Sequence, residues 1–458
     1  MHNQQPIRDA RTLGIPKMLI LGIQHMFAMF GATILVPILV QQYGLPLNIQ
    51  TTLFFAGFGT LFFHVCAKMK VPAFLGSSFA FLGGFSTMAQ LDSGMYGGMD
   101  PQLKLSYACG GVVIAGLLYL ILALIMKVVG VRKVMRFLPP VVTGPIIICI
   151  GLSLAPSAVS NASQNWLLAV IALAIIVVCN IWGRGMIKII PILLGVVGAY
   201  LVALIMHLCG MTNPDGSAIL DFAAVSQAAW VGLPPFFTDL PHHIARFDLT
   251  AILVMAPIAI ATMMEHIGDI SAISATVGQN FMEDPGLHRT LVGDGIATSL
   301  SALFGGPANT TYGENTGVLE LSKVYDPRVI RLAACFALVL SLFPKVADLI
   351  GSMPSAIIGG VSFMLYGMIS AIGVRNVVEN RVDFTQSRNL IVAAVILVCG
   401  LGFSDGLTFQ AAGASITLTG LAIAAIAGVA LNAVLPGKDY VFPTDDVTEG
   451  RSGDFGRY

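Results

Sequence analysis

Charge is scarce in this sequence. Asp, Glu, Lys and Arg make up 10% of 458 residues while 56% are hydrophobic, against roughly 25% charged in a soluble domain. That balance excludes an ordinary water-soluble globule. The seven cysteines stand singly within apolar stretches, with no CxxC pair, which excludes both a disulfide framework and a thiolate metal site. No HExxH, GxSxG or paired-aspartate signature accompanies the few carboxylates, so intramembrane hydrolysis and a metal centre have no support. Lys plus Arg equals Asp plus Glu at 24 each, and nothing in that balance suggests a nucleic-acid partner.

Long apolar runs are what the chain has instead. A bilayer core about 30 Å thick asks for roughly 20 apolar residues per helix, and fourteen such runs recur near 18–40, 50–67, 74–91, 105–126, 137–158, 166–182, 189–209, 249–267, 290–305, 309–324, 329–343, 354–372, 389–403 and 416–435. The expected architecture is an all-α polytopic protein in the lipid bilayer. With the N-terminus inside, the cytoplasmic side receives 21 of the 24 Lys and Arg residues, leaving Lys104, Arg246 and Lys345 outside. Basic residues near span ends prefer the cytoplasm, so both termini are expected there, in an inner, cytoplasmic membrane. The first span is too long for a signal-peptide core and is expected to stay in place.

Residues 1–17 read as a cytoplasmic N-terminal segment, 18–210 as seven spans, 211–248 as an external connection, 249–435 as seven more, and 436–458 as a cytoplasmic tail. Phe137 to Leu154 resembles Ser352 to Ile369, with Pro139 and Gly144 spaced like Pro354 and Gly359. Gln24-His25 in span 1 has a counterpart in Glu265-His266 in span 8, and LGSSF (Leu75 to Phe79) in span 3 has one in TTYGENTG (Thr310 to Gly317) in span 10. The matched spans are seven apart, and an odd number per copy places the two copies in opposite orientations.

An ionisable side chain inside a span costs about 2.5 to 3.5 kcal/mol on insertion scales and so normally faces a pathway or a partner. Here the candidates are His25, Glu265, His266, Asp269 and Glu314. Asp269 lies four residues beyond Glu265, on the same helical face. Span 10 gathers Gly305, Gly306, Pro307, Thr310, Thr311, Gly313, Glu314, Asn315 and Gly317, a composition that breaks a membrane helix. Irregular backbone at that depth survives only when buried in protein or lining a cavity. Interrupted helices in corresponding positions of two repeats point to a substrate site, where half-helix N-termini offer free N–H groups. Those donors suit carbonyl oxygens, the two glutamates suit ring N–H groups, and Phe79, Tyr312 and Tyr366 suit a flat face. A small planar imide fits this inventory, although amino acids and simple cations remain open on physical grounds.

Several strings carry a more specific resemblance. They are Gln24-His25-Met26-Phe27-Ala28-Met29-Phe30-Gly31-Ala32-Thr33, Leu75-Gly76-Ser77-Ser78-Phe79-Ala80-Phe81, Glu265-His266-Ile267-Gly268, Asp284-Pro285-Gly286-Leu287-His288-Arg289, Asn309-Thr310-Thr311-Tyr312-Gly313-Glu314-Asn315 and Gly359-Gly360-Val361-Ser362. Through them the chain resembles the nucleobase/ascorbate transporter family from about Gly14 to Leu435, above all its bacterial uracil-transporting members. The resemblance implies two inverted repeats of seven helices folded into a core and a gate domain, with short extended segments interrupting spans 3 and 10. It implies proton-coupled uptake of uracil by alternating access, with the proton as coupling ion and no cofactor, and a homodimer joined through the gate domains. Glu265 and Glu314, with the backbone N–H groups of Phe79 and Gly313, match substrate-holding positions, and Tyr312 and Tyr366 match aromatics beside the substrate. His25 matches a supporting position, and Asn315 follows Glu314 in the same motif. Asp269 departs from the pattern, because some uracil transporters of the family carry histidine there, and this leaves the proton path open. Glu314-Asn315 favours uracil over xanthine, since the purine branch usually has Gln before that Asn.

Overall fold

The fold is given by a computed structural model, which describes residues 6–92, 94–404, 406–411 and 414–437. The expected tail from 438 onward lies outside the described residues. Apolar runs become helices, and polar residues between them become caps. The helices that fall on the fourteen runs are α1 Ile15–Gln42, α2 Ile49–Cys66, α3 Leu82–Gln90, α4 Pro101–Val129, α5 Pro140–Ser163, α6 Trp166–Trp182, α7 Pro191–Leu208, α8 Leu249–Val277, α9 Leu287–Leu303, α10 Glu314–Ser322, α11 Pro327–Leu340, α12 Ser355–Glu379, α13 Ser387–Gly402 and α14 Gly420–Val434. Side chains of Asn48, Asp100, Asn165, Asp248, Asp326 and Thr419 accept hydrogen bonds from the first turns of α2, α4, α6, α8, α11 and α14, satisfying N–H groups that the helix itself leaves open.

Seven of these helices, α1, α2, α4, α5, α7, α8 and α12, are long and apolar enough to cross a membrane unaided. The rest are shorter, and two are preceded by extended backbone: β1 Leu75–Ser77 leads into α3, and β2 Asn309–Thr311 leads into α10. After α11 a short helix, Pro344–Gly351, turns away by 88°. One feature departs from the helical reading: β3 Leu407–Ala411 and β4 Ala414–Leu418 pair as an antiparallel hairpin between α13 and α14, so the last helix starts at Gly420 rather than near 416. Thr, Ile, Leu and Phe in that stretch suit a pleated surface at least as well as a helix.

The inverted repeat is visible in the packing. Prominent helix contacts recur seven spans along: α4 on α9 and α11 on α2, α1 on α11 and α8 on α4, α6 on α12 and α13 on α5, α7 on α6 and α14 on α13, α1 on α7 and α8 on α14, whereas α8 on α5 has no comparable counterpart in α1 on α12. Spans 1–4 and 8–11 thus form the core domain, and spans 5–7 and 12–14 the gate domain. The same device tightens equivalent contacts. A Cβ built on Gly295 of α9 would stand 2.6 Å from the Gly116 carbonyl oxygen of α4, and one on Gly57 of α2 would stand 2.6 Å from the Ala334 carbonyl oxygen of α11. Gly144 and Gly359, matched in the sequence, both lie in the α5–α12 contact. Outside the spans, Lys70 pairs with Asp284 and tethers the loop before β1 to the loop before α9. The Lys70 ammonium holds the Asp284 carboxyl below the usual carboxylate range.

Candidate functional site: the crossing of the interrupted spans

Extended backbone inside a bilayer needs partners for every N–H and C=O, and here each strand is the other's partner. β1 and β2 pair antiparallel, Leu75 opposite Thr311, Gly76 opposite Thr310 and Ser77 opposite Asn309. The ladder is extended by Ser78 N–H to the Ala308 carbonyl at 2.9 Å and Tyr312 N–H to the Phe74 carbonyl at 3.1 Å. Side chains from neighbouring helices complete it. Thr60 Oγ1 of α2 binds both the N–H and the carbonyl of Leu75, Thr298 Oγ1 of α9 donates to the Asn309 carbonyl, and Asn309 Nδ2 donates to the Phe55 carbonyl at 3.1 Å. Gly76 carries no Cβ because the Tyr312 ring rests on it, and Tyr312 Oη donates to the Ser77 carbonyl at 3.1 Å.

Beyond the ladder both chains turn helical, at Phe79 and at Glu314. Among the described residues the backbone N–H groups of Phe79 and Gly313 donate to no protein acceptor. They are the open donors of two half-helix N-termini, where the helix dipole adds positive potential. The Phe79 ring meets Tyr366 of α12 edge-on, with centroids 6.0 Å apart at 77°, so the crossing in the core domain faces the gate domain here. A Cβ on Gly313 would stand 2.8 Å from Asp269 Oδ1. Thr311 Oγ1 donates to Asp269 Oδ2 at 3.1 Å.

The sequence-derived candidates fall into place unevenly. Phe79, Tyr312, Gly313, Tyr366 and Asp269 share the crossing. Glu265 is half-buried one helical turn before Asp269 on α8. His25 is fully buried in α1 beside Asn315, whose Nδ2 donates to the Pro72 carbonyl at 2.7 Å. The Glu314 backbone opens α10, while its side chain lies outside the described residues.

Two features were not anticipated. Asp294 of α9 is fully buried, and its Oδ2 lies 2.7 Å from Nδ1 of the equally buried His266. His266 Nε2 lies 3.0 Å from Thr290 Oγ1. His64 of α2 is likewise sealed, with Nε2 2.9 Å from the Ala73 carbonyl. An aspartate between two glycines, Gly293-Asp294-Gly295, was the available sign of the first, but its partner is remote in sequence. Among the described residues no group of three or more His, Cys, Asp or Glu side chains is arranged to hold a metal.

With this geometry in place, similarity to known proteins becomes informative. The model of the xanthine/uracil permeases, described as a permease family, matches residues 16–409. The uracil permease of Bacillus caldolyticus is 42% identical over 441 residues, 94% of each chain. The uracil permease of Bacillus subtilis (strain 168) is 40% identical over 428 residues, 91% of this chain and 92% of that one. The fold is shared with the transmembrane domain of a cyanobacterium bicarbonate transporter, BicA, at a TM-score of 0.59 and 17% identity, covering 87% of this chain and 98% of that one. A buried crossing of two interrupted spans, built into an inverted repeat and matched by permeases along nearly its whole length, identifies the chain as a membrane transporter of the nucleobase/ascorbate permease family.

Proposed function

We propose that this permease takes up uracil together with protons, by alternating access between its core and gate domains. The observation that carries this reading is the pair of open backbone donors, Phe79 N–H and Gly313 N–H, at a crossing edged by Tyr312, Tyr366 and Phe79. Uracil is a flat imide with two carbonyl oxygens and two ring N–H groups. In this reading the two backbone donors bind its carbonyls, Glu265 and Glu314 accept its N–H groups, and the aromatic rings cover its faces. Uracil permeases at 40% and 42% identity support that choice of substrate.

Glu265 carries the proton in this scheme, as an ionisable side chain in an otherwise apolar stretch of α8, with His25, Asp269 and Asn315 supporting it. No cofactor is required, since the imposed ion gradient supplies the driving force. The concentration of Lys and Arg on one side favours both termini in the cytoplasm and a place in the cytoplasmic membrane. A homodimer through the gate domains completes the proposal. Its test is labelled uptake in proteoliposomes under an inward proton gradient, with uracil and xanthine compared. Gradient-dependent uracil accumulation that excess xanthine leaves unaffected is the expected result. Preference for xanthine would overturn the substrate, and indifference to the gradient would overturn the coupling.

A further inference from the structure

The connection between α7 and α8 reads in the sequence as an external segment, yet its second half turns large apolar side chains outward. Trp230, Val231, Leu233, Phe237, Leu240 and Phe247 are all exposed, Trp230 by 71% and Phe237 by 52%. Single exposed apolar residues are ordinary, whereas so many in one stretch mark an interaction surface. The stretch is pinned to the core domain: Gly232 N–H donates to the Leu342 carbonyl, Ala245 N–H to the Leu303 carbonyl and Arg246 N–H to the Ser106 carbonyl, each at 2.9 Å. Its height in the membrane is therefore set by α2, α4, α9 and α11, and helix lengths give that height. The 18 residues of α2 extend about 27 Å, close to the roughly 30 Å of a hydrocarbon core, which puts Ile49 near the boundary and Phe54 about 7 Å inside it. The Phe237 ring packs edge-on against Phe54, centroids 5.4 Å apart. Phe54 in turn stacks on Phe58 at 6.1 Å, and Phe58 is exposed on the flank of α2. An aromatic column thus continues from the connection onto the lipid-facing surface of a span.

The end of α11 gives the same level. Its 14 residues reach about 21 Å before the chain turns away by 88°, short of the full hydrocarbon thickness, and the connection docks on that turn. Lys345 N–H donates to the Ala229 carbonyl at 3.1 Å, and Lys345 Nζ stands 4.7 Å from the centre of the Trp230 ring. Trp and Lys, each with an apolar body and a polar tip, suit the headgroup boundary of a bilayer. Asp239 and His242 pair with one another at 2.6 Å, so the carboxylate in this stretch has a partner. We propose that residues 230–247 are a membrane-embedded anchor of the core domain, with their exposed apolar side chains among the headgroups and upper acyl chains of the bilayer, at the depth of about 5–10 Å usual for interfacial segments. The partner is the phospholipid surface itself, and the anchor travels with the core domain to which it is hydrogen-bonded. The leaflet is the outer one in the orientation proposed above, while the embedding holds in either orientation.

Tryptophan fluorescence tests the depth. The chain has three tryptophans, Trp166, Trp182 and Trp230, so Trp166→Phe with Trp182→Phe leaves Trp230 as the sole reporter in the full-length transporter. In phosphatidylcholine vesicles its emission should fall at least about twofold when the lipid carries bromine on the upper acyl chain, fall less when bromine sits at the chain end, and respond little to iodide in the water. Strong quenching by iodide without a response to brominated lipid would put the segment in water and overturn the anchor. Quenching by neither would mean that protein, such as a second copy of this chain, covers the face, and would overturn it equally. A measurement on the wild-type protein holds even if the double variant fails to fold. Phosphatidylcholine with a photoreactive group just below its headgroup should leave adducts between Trp230 and Phe247 as well as on the flank of α2. Adducts on the spans with none in that stretch overturn the proposal. Neither readout involves uracil or protons, so failure of the anchor and failure of the transport reading are distinguishable.

Discussion

Gly313 is a glycine for reasons of space. Its φ of −61° and ψ of −30° are open to any residue, but a Cβ there would press on Asp269 Oδ1 at 2.8 Å and on Ile372 Cδ1 at 3.0 Å. Forcing extra carbon into a packed site costs about 1–3 kcal/mol, and here the displaced atoms belong to the crossing itself. Gly313→Val should therefore lower uracil uptake at least about tenfold while the protein still inserts and stays monodisperse in detergent. Uptake at the wild-type rate would remove Gly313 from the site. At this scale the sequence is informative where a residue is rare for its surroundings. Glu265, Asp269 and His25 stand out because ionisable side chains seldom occur in apolar runs. Asp294 does not, because span 9 is rich in Gly, Ser and Thr, and its partner His266 lies on another helix. Thr311 looks like an ordinary strand residue until the register of β1 and β2 places its hydroxyl between a histidine and an aspartate.

Among the elements, close helix approach rests on small residues, as expected where lipid removes the hydrophobic drive for helices to associate. The α4–α9 contact is the sharpest case. A Cβ on Gly295 would stand 2.5 Å from Tyr119 Cβ and 2.6 Å from the Gly116 carbonyl oxygen, and backbone cannot yield as a flexible side chain does. Gly295→Leu should separate the two helices and lower the thermal unfolding midpoint in detergent by several degrees, roughly the effect of a loss of 1–3 kcal/mol. An unchanged midpoint would mean that α4 and α9 do not depend on this approach. The helices and the two interruptions are legible in the sequence because hydropathy and glycine content are local signals. The β3–β4 hairpin is not, since Leu407–Leu418 is short, apolar and β-branched, a pattern that suits a loop, a strand or the start of a helix equally well.

Across the whole molecule, two sets of helices meet along few contacts: α8 on α5 and α14, and α1 on α7. The proposed alternating access requires these surfaces to slide. A tether across one of them should stop transport. The Cβ position of Gly31 in α1 lies 3.5 Å from Ile192 Cβ in α7, within the Cβ separations of disulfides, about 3.5–4.5 Å. Gly31→Cys with Ile192→Cys should lose uptake on oxidation and regain it on reduction, whereas each single variant should be insensitive. Full-rate transport by the oxidised double variant would rule out relative motion at this surface. The inverted repeat is legible from span order alone, because seven is odd. The division into core and gate is not, since it depends on pairings such as α4 with α9 and α5 with α12 that join distant parts of the chain.

In the proposed transport cycle the ligand lies at the crossing of the two interrupted spans, between the backbone N–H groups of Phe79 and Gly313. Crystals grown with 5-bromouracil test it directly, because the bromine marks the ring in an anomalous difference map. The account predicts one strong peak at the crossing, with the ring's carbonyl oxygens at hydrogen-bond distance, about 2.7–3.2 Å, from those two nitrogens. A fully occupied bromine elsewhere in the protein, with the crossing empty, would contradict it.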